Sequence, residues 1–388
     1  MMKGFRLAFY NLAHQRIRFV VTVFGIACAT LLMIVQGSLL MSFIGASSKI
    51  IDATDSDLWI AGRGSQCFEF PGSLERRFVE IAHAVPGVAQ TTPICTRIVS
   101  FRKPDGDQQL VTLIGAEPGA GVRFPLPFAA LGTRPMSDQG LAPAEAMLPE
   151  ALLIDESASK LLNSTGPLPL AIELNEHRAS VVKRISGFSS FLGTPYAFTS
   201  YSDAARFLGL RPSDTMFILV RLRAGAEIEK VKQGLKERLP NADVWTRAEF
   251  SRKAQVYWTS QTGAGSAILG TALLGLFIGF AIVSQAIYAS TMEHIEEFAT
   301  LKALGARSRF IIGVITWQAL AGGVAGYILG VAISGPVIRQ ARSVIPWLVQ
   351  QHWLPAAIFP VTLAICVVAS LLSIQAALAV EPARVFRA

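Results

Sequence analysis

Four side-chain patterns in this 388-residue chain bear on chemistry, and three of them lack a part that their chemistry needs. Ser157-Ala158-Ser159-Lys160 fits S-x-x-K, the pattern of a serine nucleophile activated by a lysine. That chemistry also needs Lys-Thr-Gly and Ser-Asp-Asn companions, and neither occurs, so an ordinary amphipathic helix is the expected reading. The five histidines (His14, His83, His177, His294 and His352) are scattered, with no pair at helix-face ligand spacing, and no metal site is expected. A nucleotide-cradling loop needs G-x-x-x-x-G-K-[ST], so that backbone amides and a lysine can hold phosphates. No Gly-Lys dipeptide occurs anywhere, so if the protein does work, a separate subunit supplies the energy.

The fourth pattern is Glu293-His294-Ile295-Glu296-Glu297-Phe298-Ala299-Thr300-Leu301-Lys302-Ala303-Leu304-Gly305. Glu293, Glu296 and Glu297 sit where the N-terminal half of a helix dipole favours acids. Lys302 lies near the end, and Gly305 suits a left-handed cap. Ile295, Phe298 and Leu301 recur every third residue as a narrow apolar stripe. Such a stripe flanked by charges fits a groove on a partner protein. It equally fits an interfacial helix that caps a membrane span, and the residues alone leave both readings open.

The elements that must position this segment are long and uncharged. Phe19–Ser48, Ala254–Met292, Phe310–Ile338 and Ser343–Val380 carry no Asp, Glu, Lys or Arg. A bilayer core of ~30 Å needs only ~20 apolar residues in a helix, so each can span. The layout is one span, a large insert, then three spans. A mean hydropathy of +0.45 fits an integral membrane protein with one water-soluble domain. A cleaved signal peptide competes for the first stretch, but its apolar core would be ~7–15 residues, about half of this one, so a retained span is expected.

The net charge of +8 follows this topology. Residues 46–260 hold 24 Lys+Arg against 23 Asp+Glu, leaving the excess beside the spans. Lys3, Arg6, Arg16, Arg18, Lys302, Arg307, Arg309, Arg384 and Arg387 flank one side, and Arg339 and Arg342 the other. The positive-inside rule therefore places both termini and the 291–309 loop in the cytoplasm and exports the insert. The excess is topological, and no nucleic-acid partner is expected.

Of 20 prolines, 15 lie between Pro71 and Pro240, and none between Pro240 and Pro336. Proline inside a helix costs ~3 kcal/mol or more, so the gap predicts a second span running unbroken from near Arg247. Residues 1–18 read as a cytoplasmic interfacial helix, with Phe5, Ala8, Phe9 and Leu12 on one face. Residues 19–48 are the first transmembrane helix, 49–260 a periplasmic α+β domain, and 261–388 the remaining three spans with the cytoplasmic helix at 293–305. Within the domain, Asp57–Ala61, Ile94–Arg102, Gln109–Ala116, Ser180–Ile185 and Thr215–Leu222 read as strands, with a turn at Asp105-Gly106. Leu74–Val85, Asp155–Asn163, Tyr201–Leu210 and Glu227–Leu239 read as helices. Cys28 and Cys366 fall inside spans as packing residues. Cys67 and Cys95 fall in the exported domain, where a disulfide is open to them.

Small residues four apart let helix backbones approach closely. Gly275 with Gly279, and Gly322 with Gly326 and Gly330, mark such faces, and Ala369, Ser373 and Ala377 give the version on the last span. Whether the partner helix is in the same chain or another copy is open at this point. Each span also has one glutamine (Gln36, Gln285, Gln318, Gln375), for which interhelical hydrogen bonding is the preferred reading over a polar path.

These residues resemble a known family. The 293–305 segment is similar to the cytoplasmic coupling helix of FtsX/MacB-type ABC transporter permeases, which share the one-plus-three topology. Ala8, Asn11-Leu12, Arg16, Arg18, Thr22 and Gly25-Ile26 match the family's entry into its first span. Within the family the likeness is greatest to the DevC group. It rests on Tyr257-Trp258, Gly279, Ile282-Val283, Gln285, Tyr288, His294, Glu297–Gly305 and Glu381–Phe386, with weaker matches at Asp57-Leu58 and Gly187-Phe188. Phe298 and Ser284 depart from that group's usual tyrosines.

The resemblance implies a homodimeric permease of the bacterial inner membrane, driven by a separate ABC ATPase subunit that binds ATP and magnesium. The chain itself would bind no cofactor and catalyse nothing. His294, Glu297, Phe298, Leu301, Lys302 and Gly305 would couple it to the ATPase. A membrane-fusion adaptor and an outer-membrane duct would be further partners, and a lipid-like or amphiphilic molecule the exported substrate. An FtsX-like regulator of periplasmic hydrolases that transports nothing, and a lipoprotein-extracting permease, are the alternatives.

Overall fold

The structure is a computed structural model that describes residues 16–103, 106–117, 150–159, 162, 166–185, 187–293, 295–304 and 306–379. The expected interfacial helix falls almost wholly outside the described residues, as do the Asp105 half of the turn signal and the Glu381–Phe386 tail. The chain divides into two compact units, Met1–Ser42 with Ser266–Ala388, and Phe43–Gly265.

Five described helices belong wholly or mostly to the first unit: α1 (Arg16–Asp52), then α7 (Gly263–Glu293), α8 (Ile295–Ala303), α9 (Ser308–Ala341) and α10 (Leu354–Ala379). Four of them are long and apolar enough to cross a membrane, over Phe19–Asp52, Gly263–Glu293, Ser308–Ala341 and Leu354–Gln375. At 1.5 Å per residue even the 26-residue α10 is about 39 Å long, beyond the ~30 Å hydrocarbon core. Ile26, Ala29, Met33 and Ile34 of α1, Val283 and Ile287 of α7, Ala319 of α9, and Ile365, Cys366 and Ala369 of α10 share one apolar cluster. Pro336 lies inside α9 and Pro360 inside α10.

The second unit is built on a nine-stranded sheet. In chain order its elements are β1 (Leu58–Gly62), β2 (Leu74–Glu75), α2 (Phe78–His83), β3 (Val88–Arg102), β4 (Gln108–Ala116), β5 (Ala151–Asp155), α3 (Glu156–Ser159), β6 (Leu170–Leu174), β7 (His177–Ile185), β8 (Tyr196–Ser200), α4 (Tyr201–Phe207), β9 (Asp214–Thr215), β10 (Phe217–Leu222), α5 (Ile228–Arg238), β11 (Ala242–Thr246) and α6 (Arg247–Val256). The strand order is β11-β1-β10-β3-β4-β8-β5-β7-β6, with β2 and β9 paired separately. β4 with β8 and β5 with β7 are parallel; the other pairs are antiparallel. β3 also pairs with β6 through Phe101↔Leu174 and Arg102↔Glu173, so β3, β4, β8, β5, β7 and β6 form a closed ring of pairings.

The long β3 serves both halves, its first part beside β10 and its second beside β4. In β1 and over Phe217–Val220 of β10 both faces are buried, as their apolar runs require. Leu58, Ile60, Ile218 and Val220 pack under α2 and α5 against Phe78, Ala82, Val231 and Leu235. The alternate residues Trp59 and Phe217 meet Phe68 and Phe250, with ring centroids 5.3–6.1 Å apart.

The expected unbroken helix from Arg247 begins where predicted but does not continue. Thr246 and Glu249 form a capping box that starts α6. The Lys232 ammonium, itself nearly buried, binds both Glu249 oxygens at 2.7 Å. After Val256 the chain widens into a π-helical turn, Tyr257–Gln261, and breaks at Thr262, whose backbone is extended at φ −110° and ψ 150°. No proline is involved, and three hydroxyls bond to carbonyls across the widened turn. Thr259 donates to the Gln255 carbonyl at 2.7 Å, Ser260 to Val256 at 2.6 Å and Thr262 to Trp258 at 2.7 Å. Side-chain donors competing for helix carbonyls distort the ladder. The chain then turns back so closely that a Cβ on Gly265 would sit 2.1 Å from the Trp258 carbonyl oxygen.

Candidate functional site

α8 is a nine-residue helix set between two spans. Glu296 and Glu297 occupy its first turn and Lys302 its last, as helix-dipole electrostatics favours. Ile295 packs, partly buried, on a small apolar cluster of Ile311, Val314, Ile315 and Ile374 from α9 and α10. Glu296, Glu297 and Thr300 are exposed, the Thr300 hydroxyl bonding back to the Glu296 carbonyl at 2.8 Å. Lys302 is half-buried.

The expected apolar stripe therefore divides. Ile295 anchors the helix to the membrane unit, and the outward apolar group is Leu304, which is 80% exposed. Leu304 continues the three-residue spacing of Ile295, Phe298 and Leu301 and could have been found from it. His294, Gly305 and the side chains of Phe298 and Leu301 lie outside the described residues. The visible arrangement offers carboxylates and a hydroxyl on a short helix, with one exposed leucine just past its end.

The glycine faces have their partners within this chain. A Cβ on Gly279 would meet Ala29 and Met33 of α1 at 3.5–3.7 Å, and one on Gly275 would approach Gln36 Cγ at 2.8 Å. On another side of α1, Gly322 faces Thr22 and Ile26, Gly326 faces Ile26 and the Val23 carbonyl, and Gly330 faces Thr30 and the Ala27 carbonyl. α1 is thus gripped between α7 and α9, while Gly323 of α9 admits Cys366 of α10. Ala369 and Ser373 of α10 are buried.

The glutamines of the spans sit in different surroundings. Gln36 Oε1 is buried without a partner among the described residues, and Gln285 and Gln375 are exposed. Gln36 is committed to packing against Gly275.

The Cys67–Cys95 disulfide left open by the sequence is not formed; both are buried free thiols. They serve different neighbourhoods. Cys95 sits on β3 with its Sγ 4.0 Å from the Gly115 carbonyl of β4, whereas Cys67 lies beside Glu69 in the β1–β2 connection. Burial pushes each thiol up to about 12. Lys160 of the S-x-x-K pattern lies outside the described residues, and the Ser159 hydroxyl is spent on the Glu156 carbonyl at 2.7 Å.

An open cleft of about 910 Å³ in the α+β unit is lined by Glu75, Arg76, Arg77, Glu117 and Asp214. Val79, Pro93 and Pro212 also line it, and across it Arg76 pairs with Glu117 at 3.5 Å and Arg77 with Glu75.

Comparison with known proteins matches both units. The FtsX-like permease C-terminal family model matches residues 269–382. The MacB-like periplasmic core domain model matches residues 19–238, more than half of the chain. An uncharacterized ABC transporter permease of Methanocaldococcus jannaschii is 26% identical over 149 residues, 36% of each chain, so the chain spans about a third of that relative's length. The α+β unit is similar to the periplasmic region of MacB from Actinobacillus actinomycetemcomitans (14% identity, 52% of this chain and 94% of that one, TM-score 0.38). It is also similar to the extracellular domain of the noncanonic ABC-type transporter YknZ from Gram-positive bacteria (15% identity, 50% and 99%, TM-score 0.35). With four membrane-crossing helices in a one-plus-three order around a MacB-like α+β domain, the chain is a multi-pass membrane protein and belongs to the FtsX/MacB-type ABC transporter permeases.

Proposed function

We propose that this permease transmits ATP-driven motion from a separate ABC ATPase to its α+β domain, and that α8 is the contact with that ATPase. The observation that carries the reading is α8 itself: a short helix between spans, anchored by Ile295, that presents Glu296, Glu297 and Leu304 outward. An exposed leucine just past the end of a helix with acids in its first turn suits a groove with an apolar floor and basic rim. ATP and magnesium belong to the partner. The nine flanking cations against two orient both termini and α8 to the cytoplasm of a bacterial inner membrane, with the α+β domain in the periplasm.

The functional unit is a homodimer working in the manner of the DevC group, with a membrane-fusion adaptor and an outer-membrane duct. Its substrate is lipid-like or amphiphilic. Apolar helices with no Asp, Glu, Lys or Arg inside the four charge-free stretches support a protein that moves its external domain instead of passing ions. Purification of the tagged full-length chain tests this. Recovery of an ABC ATPase together with an adaptor protein supports export, recovery of an ATPase with a cell-wall hydrolase supports the regulatory alternative, and recovery of no ATPase overturns the coupling role.

A further inference from the structure

The π-helical turn that follows α6 is held by a buried carboxyl. Glu69, only 4% exposed, lies in the connection between β1 and β2. Its Oε2 accepts from Trp258 Nε1 at 3.2 Å, and the Tyr196 hydroxyl donates to its Oε1 at 3.4 Å. Three remote pieces of chain, the β1–β2 connection, the first residue of β8 and the π-helical turn, thus meet at one acid. Trp258 is the turn's buried residue. Phe191 meets its ring edge-on at 4.9 Å, with Tyr257 at 5.5 Å and Phe70 at 5.9 Å, so its one polar atom points to Glu69.

The titratable groups facing the carboxyl are Cys67 from its own segment and Tyr196 from β8; the turn contributes the non-titrating indole. Burial holds the Cys67 thiol at about 12 and the Tyr196 phenol well above its ordinary range, so both stay neutral near pH 7. Burial also raises Glu69 from 4.5 to about 7, outweighing the hydrogen bonds from its own backbone amide, Trp258, Cys67 and Tyr196 that favour the anion. The closed arrangement therefore prefers the neutral acid, and an anion there gains by admitting water. The turn is the segment with room to respond, since its ladder is already widened and broken at Thr262.

We propose that Glu69 and Trp258 form a proton-operated latch on the π-helical turn: the neutral carboxyl lets the site stay dry and closed around the indole, and ionisation, which an anion buried among neutral partners can sustain only by drawing in water, opens the site and frees the turn to rewind. This rests on the α+β unit alone and stands or falls apart from the transport reading. The sign follows from linkage. A carboxyl whose closed-state value is raised favours closure fully below about pH 4.5 and loses that preference as pH rises through about 7. Between those values the opening equilibrium grows by up to about tenfold per pH unit, or on the order of 10²–10³-fold in all.

The test uses the full-length chain in lipid nanodiscs, labelled with 5-fluorotryptophan, with the Trp258 resonance assigned through Trp258→Phe. Titrated over roughly pH 5–9, that resonance is expected to move with a midpoint near 7. Glu69→Gln, nearly isosteric and unable to ionise, is expected to hold it at its low-pH position throughout. Tyr196→Phe, which removes a donor that favours the anion, is expected to move the midpoint upward. A flat Trp258 resonance in the wild type, a midpoint that survives Glu69→Gln, or a downward shift in Tyr196→Phe would each overturn the latch.

Discussion

A methyl group added at Gly330 tests how α1 and α9 meet. The Cβ would lie 2.8 Å from the Ala27 carbonyl oxygen and 2.8 Å from Thr30 Cβ, where ordinary contact begins at 3.4 Å. One neighbour is backbone, so no rotamer change relieves it, and the helices must part by about 0.6 Å. Overpacking of this kind costs about 1–3 kcal/mol, a factor of roughly 5–150 in the folding equilibrium. Gly322 on the same face is the internal control, because its Cβ would find Ile26 Cδ1 at 3.6 Å and Thr22 Cγ2 at 3.8 Å, which is ordinary contact. Replacing glycine by alanine also gains about 0.8–1 kcal/mol of helix propensity, and this gain is common to both variants. Gly330→Ala is therefore expected to be less stable than Gly322→Ala by about 1–3 kcal/mol, with Gly279→Ala behaving like Gly322→Ala. Steric trapping of reversible unfolding in bicelles measures this on the full-length protein. If the variants agree within about 0.5 kcal/mol, the intrachain packing of α1 between α7 and α9 is wrong.

Two further outcomes follow from the α+β unit. Gly265→Ala places a Cβ 2.1 Å from the Trp258 carbonyl oxygen and is expected to raise amide hydrogen exchange across residues 257–265, while exchange in β1 and β10 stays as in the wild type. Cys67 and Cys95 are expected to resist maleimide in the folded protein and to label fully, without reductant, once denatured; dependence of that labelling on reductant would show that they are bridged.

The membrane half of the fold was legible because the bilayer imposes one simple requirement. Phe19–Ser48, Phe310–Ile338 and Ser343–Val380 lie over three of the observed helices, differing at the ends. The fourth stretch, Ala254–Met292, was misread at its start because a hydroxyl-rich run such as Thr259, Ser260 and Thr262 is as uncharged as a span. In the α+β unit the hairpin of β3 and β4 was legible from alternation and its turn. Leu74–Val85 was read as one helix, yet Leu74–Glu75 pairs with β9 and only Phe78–His83 is helical, a distinction set by tertiary pairing. Ala151–Asp155 and Tyr196–Ser200 were missed because five-residue apolar runs do not declare their periodicity.

The 293–305 segment was legible as a helix, with acids first and lysine last. Leu304 was passed over although it continues the three-residue spacing; which end of the stripe is buried, Ile295, is shown only by packing. The Glu69 cluster had no local signature at all, because its members are 127 and 189 residues apart in the chain.

The central claim is that α8 carries nucleotide-driven motion between this permease and a separate ATPase. Its most direct measurement is permease-stimulated ATP hydrolysis with the purified ATPase and the full-length chain in nanodiscs. Charge reversal and loss of the apolar contact, Glu297→Lys with Leu301→Asp, and separately Leu304→Asp, are expected to reduce hydrolysis to the rate of the ATPase alone, with membrane insertion intact. Full stimulation by the correctly inserted double mutant would contradict the account.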